Sequence, residues 1–239
     1  MTLLVALKGK DGLVLAADSR GTFGDPRGVT AQNDTMQKAH ILSEHVAVLA
    51  AGSGEVGALI IDISKKEIKQ NNIDSATSVM EKFRDIVRKQ YNEWFPTVPP
   101  IQSAALMQSG QVAVRPGLEF LIGGYEKDNT SRLYGLSSMT DFSPMLHDYG
   151  FAIKGIAQYA LYLLNRLYSK DMTLRSAIEL AAYCISETAT QDGKVGGAVQ
   201  IAEITTKNGF KAYTKEEVEG ITEENKKQSQ SLQGLFFKN

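Results

Sequence analysis

The sequence predicts an α+β fold, and three observations carry that reading. Apolar runs of strand length come in pairs joined by short turns, as in residues 3–7 and 13–17 around Lys10-Asp11-Gly12. Stretches with helical spacing arrive in consecutive pairs instead of alternating singly with strands. The regular strand–helix–strand alternation that marks a parallel sheet is missing.

The elements follow in order. Thr2-Leu3-Leu4-Val5-Ala6-Leu7 predicts a first strand, and Leu13-Val14-Leu15-Ala16-Ala17 a second that ends in Asp18-Ser19-Arg20. A hairpin of this shape returns Asp18 and Arg20 close to Thr2. Residues 46–51, Val-Ala-Val-Leu-Ala-Ala, read as a buried strand. Val56, Leu59, Ile60 and Ile63 recur at helical spacing, and Ala76, Met80, Phe83, Val87 and Tyr91 do so again until Pro96 stops the pattern. Residues 96–117 hold Pro96, Pro99, Pro100 and Pro116 and predict an irregular surface insertion. Strands resume over 118–124 and 132–136, with Lys127-Asp128-Asn129-Thr130 as the turn. Ile153, Ile156, Ala160, Leu164 and Leu167 predict a third helix, and Leu174, Ile178, Ala181, Ala182 and Ile185 a fourth. A closing hairpin over 198–205 and 210–213 turns at Asn208-Gly209. One domain is expected over 1–214. A polar extension over 215–239 is expected to hold a helix fragment and a loose tail.

Composition narrows the function. An apolar fraction of 43% supports a full core, and a net charge of −1 gives no reason to expect nucleic acid or an anionic membrane as partner. The single cysteine, Cys184, excludes an intramolecular disulfide framework and suits a reducing compartment. No apolar run reaches the roughly 20 residues of a membrane span. The start of the chain lacks the basic flank and cleavage site of a signal peptide. A cytoplasmic protein is expected. His40, His45 and His147 show no metal-ligand spacing, so neither metal nor cofactor is expected.

Two stretches carry candidate chemistry. If Met1 is removed, Thr2 bears a hydroxyl and a free α-amine on one residue, a nucleophile with its own base. An α-amine has a pKa of about 7.7–8.0, so roughly a tenth of it is neutral at pH 7. The other stretch, Gly52-Ser53-Gly54-Glu55-Val56-Gly57, fits G-x-G-x-x-G after a strand and points to a dinucleotide-binding module. That fingerprint needs a second parallel strand ending in an acidic residue about 20 residues on. Here Ile63 leads through Ser64-Lys65-Lys66-Glu67 into another helix.

Thr2 together with Asp11-Gly12-Leu13-Val14-Leu15-Ala16-Ala17-Asp18-Ser19-Arg20 resembles the start of a mature proteasome β-type subunit, a member of the N-terminal nucleophile (Ntn) hydrolases. Gln37-Lys38-Ala39-His40-Ile41 resembles the segment that carries the family's active-site lysine. Ala50-Ala51-Gly52-Ser53-Gly54 resembles its substrate-channel glycine segment, and Leu121-Ile122-Gly123-Gly124-Tyr125 its middle strand. Asp192 with Gly196-Gly197-Ala198-Val199 resembles its late aspartate and glycine pair. The absence of a helix before the first strand separates the chain from α-type subunits. The absence of a propeptide is similar to the simple bacterial HslV-like and Anbu-like relatives.

The resemblance implies a four-layer αββα sandwich and a threonine-type endopeptidase with Thr2 as nucleophile. Lys38 would lower the amine pKa and stabilise the deprotonated hydroxyl. Asp18 would hold Lys38, and Arg20 would support that ion pair. Gly52 would offer its N–H to the oxyanion, and Asp192 would orient the Thr2 amine. Gly21, Thr22, Met36, Ala50 and Gly54 would meet the substrate, with Ala50 at the base of an apolar S1 pocket. Such subunits form homo-oligomeric rings around a chamber and act on peptides or unfolded proteins. An ATPase or other activator is a candidate partner. The chain has Gly155 and Val195 where the family commonly has serines. These two replacements support the alternative of a catalytically weak or inactive structural ring subunit.

Overall fold

A computed structural model describes residues 2–24, 30–97 and 115–236. The strands are β1 (Leu3–Gly9), β2 (Gly12–Ala17), β3 (Gly21–Gly24), β4 (Thr30–Asn33), β5 (Ala39–Ser43), β6 (Val46–Gly52), β7 (Leu118–Tyr125), β8 (Ser131–Ser137), β9 (Met145–Leu146), β10 (Phe151–Gly155), β11 (Gln200–Thr205) and β12 (Gly209–Ala212). The α-helices are α1 (Gly54–Gln70), α2 (Ala76–Trp94), α3 (Gln158–Leu167), α4 (Leu174–Gln191) and α5 (Lys215–Phe236).

Two five-stranded sheets run in the orders β10-β1-β2-β11-β12 and β5-β6-β7-β8-β9, and β3 pairs with β4 in a separate ribbon. Every pair among the described strands is antiparallel. Successive side chains of a strand point to opposite faces, and that alternation builds the layers. Leu4 and Ala6 of β1, with Leu13 and Leu15 of β2, meet Ala47, Leu49, Leu121 and Leu133 of the other sheet. Leu3, Val5 and Leu7 turn the other way onto Ala160 and Leu164 of α3 and Ala177, Ala181 and Ile185 of α4. On the far sheet Val46, Val48, Phe120 and Ile122 meet Ile60 and Ile61 of α1 and Phe83 and Val87 of α2. The result is helix pair, sheet, sheet, helix pair. Because both faces of β1 and β2 are covered, their sequences read as continuous apolar runs.

Three expectations are corrected here. Ile153 and Ile156 are not helical. Residues 151–155 form β10, which pairs with β1 so that Ile153 faces Val5 and Gly155 faces Leu3. The strand completes the hydrogen bonding of β1, and the helix starts only at Gln158. Over Lys215–Phe236 the chain is one continuous helix, longer than the fragment expected, and residues 237–239 lie outside the described residues. The helix docks through Val218 and Ile221, and Asn225 Nδ2 donates to Glu179 O at 2.9 Å. The dinucleotide reading fails as well. The glycine stretch does lie between β6 and α1, but β6 sits in an antiparallel sheet, and α1 leads through Asn71 and Asn72 into α2. The parallel strand that the fingerprint needs is absent among the described residues.

The hairpin β3–β4 was not anticipated, because its sequence has no apolar alternation. Most of the expected insertion, residues 98–114, lies outside the described residues. At its margin, Tyr91 OH donates to Pro116 O at 2.7 Å.

Phe83 and Phe120 pack edge to face with ring centroids 5.0 Å apart, both fully buried between α2 and β7. Phe83→Ala is expected to lower unfolding stability by about 3–5 kcal/mol, read as a shift in the urea midpoint at unchanged slope. An unshifted midpoint would contradict this assignment of the core.

Candidate active site

The β1–β2 register places Leu4 opposite Ala17, so the next residue, Asp18, lies against the start of β1. Asp18 is completely buried, and both of its carboxylate oxygens are engaged. Oδ1 accepts from Leu3 N–H at 3.0 Å and from Lys38 Nζ at 2.8 Å. Oδ2 accepts from Arg20 N–H at 3.2 Å and Gly196 N–H at 3.1 Å. Lys38 is only 4% exposed. Besides Asp18, its Nζ donates to Thr2 Oγ1 at 2.7 Å and to Arg20 O at 2.7 Å. An ammonium has three hydrogens and no acceptor, so these contacts saturate it. Burial lowers the Lys38 pKa, and the Asp18 carboxylate opposes that change. A cation on Thr2 Oγ1 favours loss of the hydroxyl proton.

Two predicted residues act differently from expectation. The Arg20 side chain does not support the Lys38–Asp18 pair. Its guanidinium grips Asp34 through Nε and Nη2, each at 2.8 Å, and donates from Nη1 to Gly193 O at 2.9 Å. That hydrogen bonding holds the Asp34 carboxyl below the usual carboxylate range. Arg20 reaches the site through its backbone, accepting from Lys38 and donating to Asp18. Asp192 makes no hydrogen bond to Thr2 among the described residues. It follows the last turn of α4, and its carboxylate accepts from Lys194 N–H at 2.9 Å. Its carbonyl accepts from Val195 N–H at 3.0 Å, shaping the loop that delivers Gly196 to Asp18.

Gly52 joins Thr2, Arg20 and Lys38 on the wall of one cleft of about 260 Å³. Its φ of +103° and a Cβ position only 1.9 Å from Gly117 O make a side chain untenable there. Gly21, Thr22, Met36, Ala50 and Gly54 line the same cleft. A Cβ on Gly21 or on Gly54 would stand 2.0 Å from the Met36 side chain, so these two glycines make the slot that holds it. Phe23, His40 and Ile61 also line the cleft and were missed. His40 lies on β5 only two residues after Lys38, which enters the site from the segment just before that strand. Phe23 and Ile61 carry no local signal. Away from the cleft, Glu44, His45 and Asp74 bring ligand-type atoms within 4.8 Å of one another, with His45 Nδ1 already 2.8 Å from Asp74 Oδ2.

Compared with known protein families, residues 2–204 match the family described as "Proteasome subunit". The chain belongs to the proteasome subunit family. It is similar to "Proteasome subunit beta 2" of Pyrococcus furiosus, at 26% identity over 91% of this chain and 93% of that one. It is also similar to "Proteasome subunit beta" of Methanococcus aeolicus, at 26% identity over 92% and 91%. The same name belongs to a Nanoarchaeum equitans protein 27% identical over 89% and 97%. The expected β-type likeness and the αββα sandwich therefore both stand.

The two departures from the family's serines have physical reasons in this chain. Gly155 has φ +82°, and a Cβ built on it would lie 1.8 Å from Thr2 O. That carbonyl accepts instead from Ile156 N–H at 2.9 Å. Val195 is fully buried in the cluster with Leu3, Val5 and Ala16, so its place belongs to the core.

His40 and His147 both have pKa values lowered by burial, assisted by Lys65 and Lys154 respectively. In the unfolded chain they titrate near 6.5. Between the lowered folded values and 6.5 the unfolded state binds more protons, so this stabilisation is present above 6.5 and is lost as pH falls. The thermal midpoint is expected to drop between about pH 7 and pH 5, and a His40→Gln/His147→Gln variant should lose less of it. An equal loss in both proteins would contradict the assignment.

Proposed function

We propose that this chain is a threonine-type endopeptidase subunit whose nucleophile is Thr2, freed by removal of Met1. The observation that carries the reading is Lys38 Nζ donating at once to Thr2 Oγ1 at 2.7 Å and to Asp18 Oδ1 at 2.8 Å. The free α-amine takes the hydroxyl proton, and Oγ1 attacks the peptide carbonyl carbon. Gly52 N–H donates to the oxyanion. The intermediate collapses, the C–N bond breaks, and the α-ammonium returns its proton to the leaving amine. Water, deprotonated by the same amine, then hydrolyses the ester on Thr2. Lys38 stays charged throughout.

Substrate selection follows from the cleft. Ala50, Met36 and Ile61 offer apolar lining, which favours Leu, Phe or Tyr at P1 over Asp or Arg. Thr22 Oγ1 is buried without a hydrogen-bond partner among the described residues, a group that a bound peptide satisfies. Copies of the chain assemble into a ring that encloses the sites, taking peptides or unfolded proteins, with an ATPase or other activator as candidate partner. Met139, Tyr149 and Tyr162 are exposed apolar surface consistent with assembly. A cytoplasmic location accords with the lone buried Cys184, whose thiol burial pushes up to about 12. No described helix is long and apolar enough to cross a membrane. Gly155 and Val195 favour a second reading, a slow or inactive structural subunit of the same ring.

Met-free protein assayed on a fluorogenic peptide panel tests the proposal, with light scattering expected to give a mass many times 26.1 kDa. Lys38→Ala is expected to lower kcat by about 100-fold or more. Because that variant also leaves Asp18 buried and unpaired, at a cost of about 3–5 kcal/mol, Lys38→Arg serves as the charge-preserving control. It should assemble yet turn over poorly, since a planar guanidinium cannot place three hydrogens on these three oxygens. Wild-type turnover in either variant, or cleavage fastest after Asp, would contradict the proposal.

A further inference from the structure

Lys38 reaches Thr2 from a piece of chain that belongs to no ladder. Residues 35–38 run between β4 and β5 without a strand partner. Met36 N–H donates to Ser19 O at 3.0 Å, and Lys38 O accepts from Ala50 N–H at 3.0 Å. Three more backbone groups of this stretch and its continuation are held by one side chain. Gln200 Oε1 accepts from Lys38 N–H at 2.9 Å and from Ala39 N–H at 3.3 Å, while Nε2 donates to Met36 O at 2.6 Å. The amide acts as a peptide unit would, with two N–H groups facing its oxygen and a carbonyl facing its nitrogen. That arrangement fixes which end is which.

Gln200 opens β11 directly opposite Ala17, one residue before Asp18. The strand pair that sets the position of Lys38's carboxylate partner thus also sets the position of Lys38's backbone. Met36, held by the same amide, is the side chain slotted between Gly21 and Gly54 in the cleft. On its other side Gln200 lines a second cleft of about 510 Å³ with Gln37 and Tyr213. Truncating it would open the freed backbone groups to water instead of to a new protein partner.

Building on the peptidase reading above, we propose that Gln200 is a positioning residue with two separable effects. Its oxygen sets Lys38 against Thr2, and its N–H sets Met36 in the substrate cleft. Gln200→Glu keeps the acceptor for Lys38 and Ala39 but cannot donate to Met36, so the two effects come apart.

The test uses Met-free, assembled full-length protein. Gln200→Ala is expected to lower kcat by about tenfold or more, since small misplacements of a catalytic group cost that much. It should also move the acid limb of the kcat/KM profile to higher pH. A displaced Lys38 no longer depresses the amine pKa, while the other charged and titratable groups around it, Asp18, Arg20 and Asp34 beside Lys38 and His40 and Glu55 on the cleft wall, are unchanged. Gln200→Glu keeps the acceptor that sets Lys38, while its carboxylate repels the Met36 carbonyl that the amide N–H holds. Read at the pH plateau, where the added charge no longer limits the base, kcat should stay within about threefold while KM for Leu and Phe substrates rises by about fivefold. An assembled Gln200→Ala with wild-type kcat and limb would overturn the proposal. If Gln200→Ala does not assemble, Gln200→Glu decides alone: loss of kcat, or no change in KM, overturns it. A readout independent of peptidase activity is amidination of Lys38 by an imidate, followed by mass spectrometry. The buried amine should react about tenfold faster in Gln200→Ala, in keeping with local opening, and an unchanged rate would overturn the proposal even if the wild type cleaves nothing.

Discussion

A buried ammonium is tolerated only if every hydrogen it carries meets an acceptor. Lys38 meets that condition with three oxygens from three places: Thr2 before β1, Asp18 after β2 and the Arg20 carbonyl before β3. Asp18 needs an equal saturation, and takes it from Leu3, Arg20 and Gly196 besides Lys38. These two charges therefore bind four chain segments that are far apart in sequence. Shifting any one leaves a buried charge short of a partner, which costs several kcal/mol by the general behaviour of broken buried pairs. Most of the surrounding architecture can be read as holding those segments in place: the β1–β2 register, the Arg20–Asp34 clamp, the loop after α4 and the Gln200 amide.

The same saturation decides which group is the base. Lys38 and the α-amine of a Met-free Thr2 would both neighbour the hydroxyl. Burial lowers the Lys38 pKa and Asp18 opposes that change, but Lys38 donates all three hydrogens and has no lone pair to spare. An α-amine starts from a pKa of about 7.7–8.0, well below the roughly 10.4 of lysine, and sits beside that cation. In the proposed mechanism the amine is therefore the group that serves as base. Met1 in place would remove this base without touching the contacts of Lys38.

Legibility in the sequence followed physical locality. β1, β2, β6, β7 and the first two helices were readable because full burial on both faces, or one apolar helical stripe, leaves a strong local pattern. β3 and β4 leave none, and β10 mimics a helix because Ile153 and Ile156 fall at helical spacing by coincidence while strand pairing with β1 is a long-range demand. In α5, Val218 and Ile221 alone were too sparse to predict docking. Of the candidate site, Thr2, Asp18, Lys38, Gly52 and the cleft residues Gly21, Thr22, Met36, Ala50 and Gly54 come together in space. The Arg20 side chain and Asp192 do not join them, because Asp34 and the backbone of Lys194 compete for their charges. Gln200 could not be found from sequence, since its importance lies in three backbone contacts with residues about 160 positions away.

Under the proposed function, Thr2 acts through its hydroxyl and its amine together, with Lys38 holding the hydroxyl. A peptide epoxyketone tests it directly, because closing a ring on that warhead consumes both groups of one N-terminal residue. Met-free protein is incubated with the inhibitor, and the N-terminal peptide is weighed by mass spectrometry beside a Thr2→Ala blank. A cyclic adduct is expected on Thr2 and is absent from the blank and from Met1-retaining protein. Folded, Met-free protein that forms no adduct on that peptide after long incubation would contradict it.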